Sequence, residues 1–190
     1  MKMKLTGVTL VASLVAGMAM AADKAALVEE GKGVMKAFGG TLKKELLAAV
    51  EQGGPVKGIE VCNVKAPMIA DKVGGDTGWI VARSSHKLRN PKNAADKFTA
   101  SVIQEFLDRE AKGEMAADMA KAEIVEENGR KVFRLVKAIP TGKLCMNCHG
   151  GENVKPQVVE ALATLYPDDK ARGFSEGQMR GVFTLQKVLD

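Results

Sequence analysis

The sequence predicts an α+β domain, a small antiparallel sheet flanked by helices. That prediction rests on three features. A long apolar stripe at helical spacing starts after residue 22. Two arms rich in β-branched residues flank Asn128-Gly129, the pair that favours a type I′ hairpin turn. The segments then follow the order helix, helix, strand, helix, hairpin, helix, strand, with no internal repeat.

Asp23 to Gln52 forms the first helix of this reading. Leu27, Gly31, Val34, Phe38, Leu42, Leu46 and Val50 recur at steps of three and four. Gly39-Gly40 is its weak point, where a kink is expected, and Gly53-Gly54-Pro55 ends it. A second helix, Ile59 to Lys72, should break near Ala66, because Pro67 disfavours helical geometry in the residue before it. Gly78 to Arg83 carries Trp79, Ile80 and Val81 and reads as a short strand. After the turn at Arg89-Asn90-Pro91, Asn93 is expected to cap a helix bearing Phe98, Val102, Ile103, Phe106 and Leu107 and ending at Gly113. The hairpin arms are Ala122 to Glu127 and Arg130 to Ala138, closed by Pro140-Thr141-Gly142. Pro156 opens a helix that runs to about Tyr166. A polar loop through Asp168, Asp169 and Gly173 leads to a last strand, Gly181 to Val188.

Composition narrows the class. The chain has 190 residues, 46% hydrophobic and 4% aromatic, which excludes fibrous and low-complexity disordered proteins. Its 3 cysteines are too few for a disulfide scaffold. Residues 1–21 have the form of a secretory signal peptide. Lys2 and Lys4 precede the apolar run Leu5 to Met18, and Ala19-Met20-Ala21 is an A-x-A cleavage site. A periplasmic location and a mature chain starting at Ala22 are expected. Removal of Lys2 and Lys4 lowers the formal charge from +5 to +3. No basic stripe is interleaved with aromatics, so nucleic acid is not an expected partner. No second long apolar stretch exists, so stable membrane insertion is not expected. The organisation is then signal peptide 1–21, N-terminal helical segment 22–54 and a domain over 55–190.

The chemistry lies in Cys145-Met146-Asn147-Cys148-His149, a C-x-x-C-H sequence and the attachment signature of haem c. Two thiols three positions apart reach the two vinyl groups of one haem and form thioethers. The adjacent histidine can then bind the iron. Export suits this, because bacterial haem c is attached outside the cytoplasm. A thioredoxin-like pair would need a βαβ unit, and a zinc site a second Cys/His pair; neither is present in the sequence. With only His86 and His149, a multihaem cytochrome is excluded. One covalently attached haem c is the expected cofactor, with Cys145, Cys148 and His149 as its binding residues.

The sixth iron ligand is open from the residues alone. Met179, after the motif, is one candidate. His86 sits in a polar stretch and reads as a surface residue. Cys62, the odd cysteine, is either a buried small hydrophobe or a thiolate ligand to ferric iron.

Further segments carry a resemblance. Arg83-Ser84-Ser85-His86-Lys87-Leu88-Arg89-Asn90-Pro91-Lys92-Asn93 resembles the R-[TS]-S-x-x-x-R-N-P-x-N signature of a bacterial family of single-haem c-type, PAS-like sensor domains. Tyr166-Pro167-Asp168-Asp169-Lys170-Ala171, with Gly173 and Arg180-Gly181, is similar to that family's ending. The resemblance implies a PAS-like fold with a long N-terminal helix. It also implies axial ligation by Cys62 and His149. One departure is His86, where the family has an aliphatic residue. Arg83 and Arg89 are candidates for the haem propionates, or for holding the turn through backbone carbonyls.

Function follows in two classes. The first is a redox or diatomic-gas sensor, in which reduction, NO or CO displaces Cys62. An unidentified periplasmic signalling protein, or a homodimer through the long N-terminal helix, would read the state. The second is a low-potential periplasmic electron carrier, with Arg83, Lys87, Arg89, Lys92 and Lys97 as a basic docking patch for a redox partner. No constellation for an enzyme is evident.

Overall fold

The computed structural model describes residues 9–189, with side chains from Asp23 onward. The expected signal peptide and its cleavage site lie outside the residues described in that detail. Helix α1 (Thr9–Glu60) runs through Gly39-Gly40 without the expected kink. The glycines of its stripe serve close packing. A Cβ on Gly39 would meet Phe183 at 3.2 Å, and one on Gly31 would meet Leu135 at 2.6 Å. The break comes at Gly53 and at Gly54, whose φ is 73°, and Pro55 restarts the helix. A π-helical turn (Val61–Lys65) leads directly into α2 (Ala66–Thr77). Pro67 does not end the helix, but the helix changes there from π to α at Ala66, so the irregularity expected near that residue takes the form of a π-helical turn and not a break.

Strand β1 covers Ile80–Ser84. Helix α3 (Lys97–Ala111) is capped by Asp96, which accepts from Thr99 N at 2.7 Å, and not by Asn93. Asn93 instead closes a 3₁₀ turn begun by Asn90-Pro91. Strands β2 (Ala120–Glu127) and β3 (Arg130–Pro140) join through Asn128 and Gly129, with φ of 54° and 75°, the type I′ signature. A short helical turn α4 (Met146–His149) carries the end of the C-x-x-C-H sequence, followed by α5 (Pro156–Leu165) and β4 (Met179–Leu189).

The strands form one antiparallel sheet in the order β1-β4-β3-β2, so the last strand is central. On one face α1 and α2 bury Val34, Phe38 and Leu42 against Trp79, Phe133 and Leu185. The stripe of the N-terminal helix therefore packs on its own domain. On the other face α3 packs Val102 and Phe106 against Val136 and Val182. A third cluster, Ile59, Val158, Leu162 and Tyr166, ties α5 to the end of α1. This is the α+β, PAS-like arrangement with a long N-terminal helix. Among the described residues no helix is long and apolar enough to cross a membrane.

Candidate cofactor site

A cleft of about 1160 Å³, open mouth included, lies between the end of α1, β1, the start of β4 and the Cys145–His149 turn. Leu42, Leu46, Val50 and Leu144 give it apolar walls. Cys62, Arg83, Arg89, Cys145, Cys148 and His149 all line it, though they come from four separate stretches of chain.

Each residue is delivered by local geometry. Cys62 sits on the π-helical turn, an irregularity that re-aims side chains relative to an α-helix. Val61 beside it is buried, while Val64 points outward. Gly58 lets this segment approach α1, since a Cβ there would meet Leu46 at 2.9 Å. Cys145 ends a 3₁₀ turn and Cys148 lies in the following helical turn, so the two thiols are one turn apart. Arg83 lies on β1 with its guanidinium over Phe38, 5.5 Å from the ring centre.

His149 Nδ1 lies 2.7 Å from the Ala171 carbonyl oxygen and 3.0 Å from Arg180 Nε. One nitrogen cannot donate to the first and accept from the second. Donation to Ala171 is the shorter contact, and it leaves the lone pair on Nε2, which Arg89 Nη1 approaches at 3.4 Å. Burial and the neighbouring Arg180 and Arg89 charges push His149 down to about 2, so the imidazole is neutral. Burial pushes the Cys148 thiol up.

Arg89 grips backbone. Its Nη2 donates to Cys148 O at 2.7 Å and to Asp169 Oδ2 at 3.1 Å. Arg180 donates from Nη1 to Ser85 Oγ at 3.1 Å, and burial with Arg89 and Arg83 pushes it down to about 10. Among the described residues neither Arg83 nor Arg180 has a carboxylate partner. Burial also pushes the Arg83 guanidinium below its ordinary value.

Two ligand candidates are elsewhere. Met179 opens β4 rather than lying in a loop, and is fully buried against α3. His86 is exposed, edge-on to Phe174 at 5.6 Å, and does not line the cleft. The basic patch also changes, because Arg83 and Arg89 face the cleft instead of solvent. Arg180, Asp169 and Tyr166 complete the site and were not singled out as site residues from sequence. The tail segment that contains them was the available signal.

A PAS-like domain with three cysteines, a neutral histidine and two arginines that lack carboxylate partners among the described residues, all around one apolar cleft, defines the class of protein. The chain belongs to the Tll0287-like family, whose pattern matches residues 12–186. Among solved structures it is similar to the cyanobacterial haem protein Tll0287, with a TM-score of 0.60 and 19% identity over 87% of this chain and 94% of that one. At that identity the likeness speaks for the fold. No curated protein matches the sequence.

Proposed function

We propose that this chain is a periplasmic, single-haem c-type protein, a redox or diatomic-gas sensor module with a switchable thiolate ligand. The observation that carries the proposal is that Cys62 and the complete Cys145–His149 motif open on one cleft. The family and the haem-protein neighbour support haem as the cofactor.

The residues fit that group. The walls are apolar, as a porphyrin face requires, with a few polar groups set among them. The two guanidiniums without carboxylate partners, Arg83 and Arg180, match the charge of two propionates. Cys145 and Cys148 would hold the porphyrin as thioethers, and His149 Nε2 and the Cys62 sulfur would hold the iron. Bound there, haem supplies a one-electron centre that can take NO or CO.

The chain's own residues set how that centre behaves. The Ala171 carbonyl fixes the imidazole tautomer. A thiolate at Cys62 favours the ferric state, and the π-helical turn offers a local element whose shape can change when the sulfur is released. A partner, or a second copy of the chain, would read that change. A second reading, a low-potential electron carrier, is favoured by one observation. His149, Phe174 and exposed His86 stack edge-on in sequence, at 6.3 and 5.6 Å, from the motif to the surface.

The test is the absorption and EPR spectrum of protein matured with the haem c machinery, as wild type and as Cys62→Ala. Covalent haem with a low-spin thiolate signature that vanishes in Cys62→Ala is expected. Spectra unchanged by the substitution would remove Cys62 as a ligand and leave the electron carrier as the better account. Absence of attached haem would overturn the reading altogether.

A further inference from the structure

Beyond Tyr166 the chain turns back along the Cys145–His149 segment as a strap. Lys170 N donates to Leu88 O at 2.8 Å, Gly173 N to Gly150 O at 3.0 Å, and Phe174 N to His149 O at 3.0 Å. One carboxylate pins the strap. Asp169 Oδ1 accepts from Ala171 N at 2.8 Å, and Oδ2 accepts from Arg89 Nη2 at 3.1 Å. The Asp169 and Arg89 side chains are only 7% and 8% exposed. The same Arg89 nitrogen reaches the carbonyls of Cys148 and Ala171, at 2.7 and 3.3 Å. The Ala171 carbonyl is the group that accepts from His149 Nδ1.

Burying an ion pair costs about as much desolvation as it returns in attraction, so such a pair is weak evidence for stability. This one has a different consequence. It decides where the Ala171 carbonyl stands, and that carbonyl competes with Arg180 Nε for the same ring nitrogen. With the carbonyl in place the proton stays on Nδ1 and the lone pair on Nε2. With the carbonyl loosened, Arg180 donates to Nδ1 and the proton moves to Nε2, the tautomer that cannot bind a metal through Nε2.

We propose that Asp169 is a positioning residue: through Arg89 and Ala171 it fixes the ring orientation and tautomer of His149, and thereby the donor strength of Nε2 toward the iron. This rests on His149 being the iron ligand.

Asp169→Asn keeps the shape and removes the charge. Two effects follow with one sign. Nε2 becomes a weaker donor, and Arg89 becomes an uncompensated cation beside it; both favour ferrous iron. The ratio of reduced to oxidised protein at a fixed potential should rise about tenfold, an upward midpoint shift of about 59 mV for one electron. Asp168→Asn removes the same charge from an exposed neighbour and should leave the midpoint unchanged. In ferrous wild-type protein the His149 Nδ1 proton should exchange slowly with solvent. An unchanged midpoint in Asp169→Asn with haem retained would overturn the proposal. If that variant fails to mature, fast exchange of the Nδ1 proton in wild type overturns it instead, and slow exchange supports it. A His149→Ala control with unaltered spectra would remove the ligand assignment itself, and the proposal with it.

Discussion

Gly181→Ala tests how closely β1 must lie against β4 at the rim of the cleft. A Cβ on Gly181 would stand 2.3 Å from Ser84 O and 3.2 Å from the Ser85 Cβ. Real Cβ contacts essentially never fall under 3.0 Å, so the gap must open by at least 0.7 Å. The obstacle is backbone, held by the pairing of Ser84 with Val182, and cannot swing aside as a side-chain tip would. Opening the strands forfeits one or two ladder bonds and strains the bond from Ser85 Oγ to Arg180 O, now 2.8 Å. At about 1 kcal/mol per hydrogen bond the loss is about 2–3 kcal/mol. For a domain of this size that lowers Tm by roughly 4–12 °C. The assay is thermal unfolding followed by far-ultraviolet circular dichroism, with Gly151→Ala as control. Nothing lies within 4 Å of a Cβ at Gly151, so the control should stay within about 0.5 kcal/mol of wild type. A Gly181→Ala protein as stable as that control would refute the claim that this glycine sets the strand spacing.

Two further expectations concern buried polar groups. Asp96 both caps α3 and binds the buried guanidinium of Arg134, which is 2% exposed. Asp96→Asn keeps the cap and removes the charge. It should cost about 1 kcal/mol, since Glu127 still pairs with Arg134 and Asp96 is partly screened by solvent. Asp96→Ala should cost about 1 kcal/mol more, and equal denaturation midpoints for the two variants would deny the cap any role. Burial pushes the Asp96 carboxyl up, but the Thr99 amide and Arg134 outweigh it and hold the group below its ordinary 3.8. Its contribution is therefore present above about pH 4 and lost as pH falls through the lowered value, so acid titration should separate wild type from Asp96→Asn only above that range. Tyr166 is 5% exposed, and among the described residues its hydroxyl has no hydrogen-bond partner. Burial, the largest cause, pushes the phenol up to about 12. Tyr166→Phe removes no bond and should leave the urea midpoint within about 0.5 kcal/mol of wild type; a loss above about 1 kcal/mol would mean the hydroxyl is satisfied.

Local chemistry made much of the fold legible. Asn128-Gly129 specified its turn because few residue pairs accept two positive φ values in succession. The α1 stripe was readable because its period is that of the helix. The errors arose where tertiary contact overrode propensity. Gly39-Gly40 reads as a kink in isolation, yet Phe183 packs on Gly39 and the helix stays straight. Asn93 and Asp96 are both competent caps, and the choice fell to Asp96 because Arg134, 38 positions away, binds the same carboxylate. A π-helical turn has no spacing rule, so the residues alone flag Cys62 only as an odd cysteine, and the expectation that it faces the motif comes from the family resemblance.

The site divides along the same line. Cys145, Cys148 and His149 fall within five residues, so their spacing is legible directly. Arg180 and Asp169 are single charged residues whose partners lie far off: Ser85 is 95 positions from Arg180, and Arg89 is 80 from Asp169. Only the topology brings them together. Because β4 is an inner strand, paired with β1 on one side and β3 on the other, it sets Arg180 beside His149. The C-x-x-C-H sequence is thus a local property of five residues. The environment of His149 comes from two distant elements, the strap carbonyl of Ala171 and Arg180 at the start of β4, and neither is readable from the motif itself.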